Sequence, residues 1–136
     1  MLDRWLSERA WKNESRFSRT FVVCAGEAVA GFYCLAAGSV ERAAAPGALR
    51  RNAPDHVPVA ILGRLAVARE FQGRGLGADL LADAIRRVSA AAESIAISAL
   101  LVQAKDEAAK RFYLRCAEFV EFPGESRTLF LRIAAT

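Results

Sequence analysis

The chain has 136 residues, 54% of them apolar, with three cysteines, one histidine and a formal net charge of +4. That length and apolar share suit one folded domain over residues 1–136 with a sizeable core, and exclude a disordered chain. No apolar run approaches the ~20 residues of a membrane helix. Met1-Leu2-Asp3-Arg4-Trp5 is no secretory leader, and the odd set Cys24, Cys34 and Cys116 lacks metal spacing. The expected setting is therefore cytoplasmic and reducing, without metal or membrane.

In chain order, Leu2, Trp5, Leu6 and Arg9 or Ala10 fall on one helical face and predict an amphipathic helix over 2–13. Thr20 to Cys24 and Ala28 to Gly38 read as a strand pair turned at Ala25-Gly26-Glu27, the second strand continuing toward Ala45. Pro46-Gly47 ends it, and a short helical turn spans Ala48 to Asn52. Pro54 and Pro58 bracket a loop with His56, and Pro58 to Val67 is the central strand. A helix follows over Gly75 to Ala92, with Leu76, Leu80, Leu81, Ala84, Ile85 and Val88 at helical spacing. Ala99 to Gln103 reads as a strand buried on both faces, as a parallel neighbour would be. Asp106 caps a helix that runs to about Arg115, and strands Phe119–Phe122 and Thr128–Ile133 are joined by a turn at Pro123-Gly124-Glu125-Ser126. The order predicts an α/β mixed sheet with helices on its faces.

The chemistry concentrates at Gln72-Gly73-Arg74-Gly75-Leu76-Gly77, between the central strand and its helix. The first N–H groups of a helix lack internal partners and its dipole puts roughly half a positive charge there. Glycines remove the side chains that would hold a phosphate away from those groups. Gly73-x-Gly75-x-x-Ala78 satisfies the loose dinucleotide pattern, but five residues separate it from the strand and the next strand carries no acidic residue. No P-loop run is present. The pattern Gln72-x-x-Gly75-x-Gly77 after a strand resembles the coenzyme A pyrophosphate loop of the GNAT acetyltransferases. Asp106-x-x-Ala109-x-x-Phe112-Tyr113 is similar to a second segment of that family, at the usual distance.

The resemblance implies the GNAT fold: a mixed, mostly antiparallel sheet with a central parallel pair of strands that splay apart, flanked by helices. It implies acetyl-CoA as cosubstrate. Leu65, Ala66 and Val67 would bond the pantetheine arm by backbone, Gln72, Gly73, Arg74, Gly75, Leu76 and Gly77 would seat the pyrophosphate, and Asp106 would join this set. The catalytic roles fall to the N–H of Val67, as donor to the acyl oxygen, and to Tyr113, as general acid toward sulfur. A core aromatic beside Phe112 is the alternative for Tyr113. No acidic residue lies between Val57 and Val67 to act as base, and His56 reads better as surface. An α-amine, with a pKa of about 7.7–8.0, needs less help to react than a lysine at about 10.4.

A narrower resemblance covers nearly the whole chain. Leu2-Asp3-Arg4-Trp5-Leu6, Ser18-Arg19-Thr20-Phe21-Val22-Val23, Gly31-Phe32-Tyr33-x-Leu35-Ala36-Ala37-Gly38 and Gly63-Arg64-Leu65-Ala66-Val67 look like GNAT toxins of bacterial type II toxin–antitoxin pairs. The resemblance implies acetylation of the α-amine of aminoacyl-tRNA, a block of translation, a ribbon-helix-helix antitoxin as partner, and a homodimer. Lys12, Arg16, Arg19, Arg50, Arg51 and Arg64 are then candidates to contact the RNA, since arginine's planar fork suits phosphate. For the first five a solvated surface is the alternative, whereas Arg64, a charge inside an apolar strand, should face the cleft or a partner carboxylate. Other readings on the same scaffold are a small-amine or protein N-terminal acetyltransferase, and a non-catalytic acyl-CoA or RNA-binding module. Two features depart from the pattern. The Tyr113 helix ends at Cys116-Ala117-Glu118-Phe119 without the usual glycine, and the first helix lies closer to the start than in such toxins.

Overall fold

The computed structural model describes residues 6–11, 17–42, 44–45, 47–50 and 53–133, with backbone alone for 6–11 and 48. Their strands are β1 (Leu6–Trp11), β2 (Arg19–Ala25), β3 (Ala28–Glu41), β4 (His56–Val67), β5 (Ala99–Gln103), β6 (Val120–Phe122) and β7 (Glu125–Arg132). Their helices are α1 (Gly47–Arg50), α2 (Leu76–Ala91) and α3 (Glu107–Cys116), with a 3-10 turn at Arg69–Phe71. The strand order is β1-β2-β3-β4-β5-β7-β6. By contacts the chain forms two compact units, Met1–Ala36 with Leu62–Arg86, and Ala37–Ile61 with Arg87–Thr136. None of the helices is long and apolar enough to cross a membrane.

In the first unit, β1 replaces the helix expected over 2–13; residues 2–5 and 12–13 lie outside the described set. Leu6 and Ala10 are four apart, a spacing that fits the helical period and the strand period of two equally well. A six-pair antiparallel ladder with β2, from Leu6↔Ala25 to Trp11↔Thr20, decides for the strand. β2 and β3 form the expected hairpin, turned by Gly26 at φ 61°. Their register passes from Val23↔Gly31 to Cys24↔Val29, so β3 carries Ala30 as an extra, bulged residue.

The apolar face of α2 buries Leu76, Leu80, Leu81, Ala84 and Val88, and one charged residue among them, Asp83, 7% exposed. Asp83 is matched by β3. The Tyr33 hydroxyl donates a short hydrogen bond to Asp83 Oδ2, and Arg86 Nη2 donates to Asp83 Oδ1 at 2.9 Å. The Tyr33 ring, fully buried, stacks on Phe21 with centroids 5.1 Å apart. Burial, with the Asp83 carboxylate beside it, pushes the Tyr33 phenol above its ordinary pKa. Below about pH 10 folded and unfolded chains both keep that proton and its stabilisation is full. Above it the unfolded chain releases the proton first, so stability falls as pH rises. Tyr33→Phe should therefore lower stability at neutral pH by about 1–3 kcal/mol, because a buried carboxylate loses a donor. The variant should then decline less steeply at alkaline pH, as urea unfolding at a series of pH values would show.

The second unit has its own core of Ala45, Leu49, Val57, Val59, Ala99, Phe122 and Phe130, with Val40, Ala53 and Leu101 packed against it. β5 pairs antiparallel with β7, from Ala99↔Arg132 to Gln103↔Thr128. Ser98 N–H donates to the Pro58 carbonyl of β4 at 2.9 Å. β4 reaches β5 through α2, the helical crossover that a parallel pair requires. β4 starts at His56, so the expected loop is shorter. The turn between β6 and β7 is also shorter than the four residues expected. Phe122 pairs with Glu125, leaving Pro123-Gly124 with Gly124 at φ 80°. Proline followed by a left-handed glycine is the composition of a type II turn, which closes in two residues.

Candidate active site

β4 leads into the site. Its last residues, Leu65, Ala66 and Val67, carry half-buried or exposed side chains, unlike the buried Val57, Val59, Ala60 and Leu62 before them. The chain then makes the 3-10 turn at Arg69–Phe71 and passes through Gln72-Gly73-Arg74-Gly75 into α2. Gly73 and Gly75 have φ of 79° and 80°, where a side chain is strained, and a Cβ on either would meet nothing within 4 Å. Open space therefore lies over a left-handed turn at the start of a sixteen-residue helix. Asp79 N–H bonds back to the Gly75 carbonyl at 3.1 Å, which opens the helix there, and the N–H groups of a helix's first turn point toward an anion. Gly77 lies in the first helical turn. The Arg74 guanidinium rests over the Phe71 ring at 5.6 Å, on the exposed side of the turn.

Gln72 joins the turn to the strand. Its Nε2 donates to the Val67 carbonyl at 3.0 Å. Leu65, Ala66, Val67 and Gln72 to Gly77 thus belong to one unit.

Tyr113 and Asp106 belong to the other unit and are placed by α3. Asp106 is the N-cap, as expected, accepting from Ala109 N–H at 2.8 Å. At the far end Ala117 takes an extended conformation (φ −157°) with its N–H on the Tyr113 carbonyl at 3.2 Å. The helix therefore stops without a left-handed residue, which explains why no glycine is needed there. Tyr113 is 8% exposed, edge-on to Phe112 and Phe119 at 5.3 and 5.7 Å. Burial, and at alkaline pH the nearby Cys116 thiolate, push its phenol above the ordinary value, so it holds its proton throughout the neutral range.

The residues matched are 2–119 of the chain, and the family model they match is that of the acetyltransferase (GNAT) family. The chain belongs to the GNAT acetyltransferase family. Its fold is the GNAT fold, a mixed sheet with helices, and it is an N-acetyltransferase. This acetyltransferase is 54% identical over 114 residues to a "tRNA-acetylating toxin" of Mycobacterium tuberculosis, covering 83% of the chain and 69% of that relative. It is similar to the structure of AtaT complexed with acetyl-methionyl-tRNAfMet, with a TM-score of 0.78 and 33% identity over 86% of the chain and 72% of the other. It is also similar to an AtaT mutant bound to acetyl-CoA and the C-terminus of the antitoxin AtaR. There the TM-score is 0.78 with 25% identity, and 95% and 94% of the two chains are covered.

Of the basic candidates in this acetyltransferase, Arg19 on β2, Arg50 on α1 and Arg64 on β4 are exposed; Lys12, Arg16 and Arg51 lie outside the described residues. Arg19 donates to the neighbouring Ser18 carbonyl at 3.2 Å. His56 opens on a pocket of about 280 Å³ shared with Glu41, Arg42 and Asp55, in which Arg42 and Asp55 pair at 3.4 Å. Among the described residues no group of three His, Cys, Asp or Glu is disposed to hold a metal. Sequence reasoning missed the Gln72–Val67 bond and the Tyr33–Asp83 pair. A signal for the second was present: Asp83 sits between Leu81 and Ala84 on the apolar face of its helix.

Proposed function

We propose that this single acetyltransferase domain is a toxin that transfers acetyl from acetyl-CoA to the α-amine of aminoacyl-tRNA and so stops translation. The observation that carries the reading is the 54% identity with a tRNA-acetylating toxin over 83% of the chain. The left-handed, uncovered glycine turn ahead of α2 supports acetyl-CoA, since a diphosphate can approach the start of the helix there. In this reading Gly73, Arg74, Gly75, Leu76 and Gly77 hold the diphosphate, and Leu65, Ala66 and Val67 hold the arm by backbone; Asp106 keeps α3 in place. Bound acetyl-CoA supplies an activated acyl group whose thiolate can leave.

The protein's part is to steady charge and move a proton. The Val67 N–H donates to the acyl oxygen as negative charge gathers on it. The amine forms the new C–N bond, the C–S bond breaks, and Tyr113 gives its proton to the sulfur. The surplus proton on nitrogen leaves to water, and water returns one to the Tyr113 phenolate. β4 has no carboxylate to take it, which suits an α-amine of low basicity better than a lysine. Arg19, Arg50 and Arg64, with Lys12, Arg16 and Arg51, contact the RNA. A small antitoxin of ribbon-helix-helix type is the natural partner, and the toxin pairs with a second copy of itself.

Incubation with labelled acetyl-CoA and a mixed pool of charged tRNA tests the reading. Label should appear on the aminoacyl end of the tRNA, and the yield should fall steeply with salt. Label appearing only on protein N-termini or small amines would overturn the tRNA reading, and binding of acetyl-CoA without turnover would overturn the enzyme.

A further inference from the structure

Gln72 opens the glycine turn, yet its side-chain amide is turned back onto β4, on the Val67 carbonyl. The peptide joining Val67 to Ala68 is held at its other end as well, where Ala68 N–H donates to the Ala30 carbonyl at 2.8 Å. Ala30 is the bulged residue of β3, left over by the ladder with β2. Its neighbour Gly31 allows the close approach. A Cβ there would stand 2.9 Å from the Ala66 carbonyl oxygen and 3.6 Å from Val67 Cα. Bulge, glycine and glutamine side chain therefore grip one peptide plane from two sides.

We infer that Gln72 is a positioning residue for the acyl end of the site, fixing residue 67 rather than binding the diphosphate. The inference rests on the reading of the Val67 N–H as donor to the acyl oxygen. Such a donor is effective to the extent that it need not move when charge develops. The Val67 N–H and the carbonyl that Gln72 holds flank the same Cα. Loss of the bond frees residue 67 to rotate, while Gly73, Gly75 and the start of α2 keep their places. A solvent-exposed hydrogen bond of this kind corresponds to about a three- to tenfold change in rate.

Two variants test this, Gln72→Met, which keeps length and removes the donor, and Gln72→Arg, which keeps a donor. For each, kcat and KM for acetyl-CoA are measured with a pool of charged tRNA, and the affinity for free coenzyme A is measured by calorimetry. The expected result for Gln72→Met is a kcat lower by about three- to tenfold with coenzyme A affinity unchanged, and recovery of kcat in Gln72→Arg. A loss of coenzyme A affinity with kcat intact would make Gln72 a phosphate ligand and overturn the inference, as would no change in either. A wild-type protein that binds coenzyme A and transfers acetyl to no amine would instead overturn the reading beneath it.

Discussion

Tyr113→Phe should lower kcat by about 10²–10⁴-fold, the usual contribution of a positioned acid, with the affinity for coenzyme A unchanged. The phenol is almost buried between Phe112 and Phe119, and its raised pKa keeps it protonated, as the proposed donor to a leaving thiolate must be. The variant removes one oxygen and leaves both edge-on ring contacts, so the packing survives. Steady-state kinetics beside calorimetric binding of coenzyme A would separate the two effects. A kcat within a few-fold of wild type would return Tyr113 to the role of a core aromatic.

Gly75→Val should weaken acetyl-CoA binding by at least about tenfold, the equivalent of roughly 1.4 kcal/mol, and destabilise the fold modestly. Gly75 holds a φ of 80°, and an L-residue there costs about 1–2 kcal/mol of backbone strain. Nothing in the protein stands within 4 Å of the added Cβ. The branched side chain would therefore project into the space above the helix start without disturbing the core. Isothermal titration with coenzyme A, against urea unfolding of the same variant, would read both. Gly47 offers the contrast: it too has open space around it, but lies in α1 with an ordinary φ.

The parts of the fold legible in the sequence were those with one dominant signal. β5 is a short apolar run bounded on both sides by polar residues, and α3 begins at an aspartate whose carboxylate has an orphan N–H to accept. The glycine turn was legible because only glycine takes φ near 80° comfortably, twice in three residues. β1 was not, since Leu6 and Ala10 satisfy two periods and only the ladder with β2 chooses between them. The Tyr33–Asp83 bond joins residues 50 apart, a pairing that no local pattern encodes. At the site, the glutamine was visible as part of a motif, but not where its amide would point. That depends on a bulge in β3 forty-two residues earlier, which only the strand register reveals.

The two ends of α3 differ in a way that bears on heat. Its start is tied by a side-chain cap, whereas its last hydrogen bond, from Ala117, closes on the carbonyl of Tyr113 itself. Helix termini open before the rest of a protein does, and here the final turn to open would carry off the backbone anchor of Tyr113, the proposed acid. Catalysis in this protein should thus fade on warming some degrees below the melting temperature, and return fully on cooling.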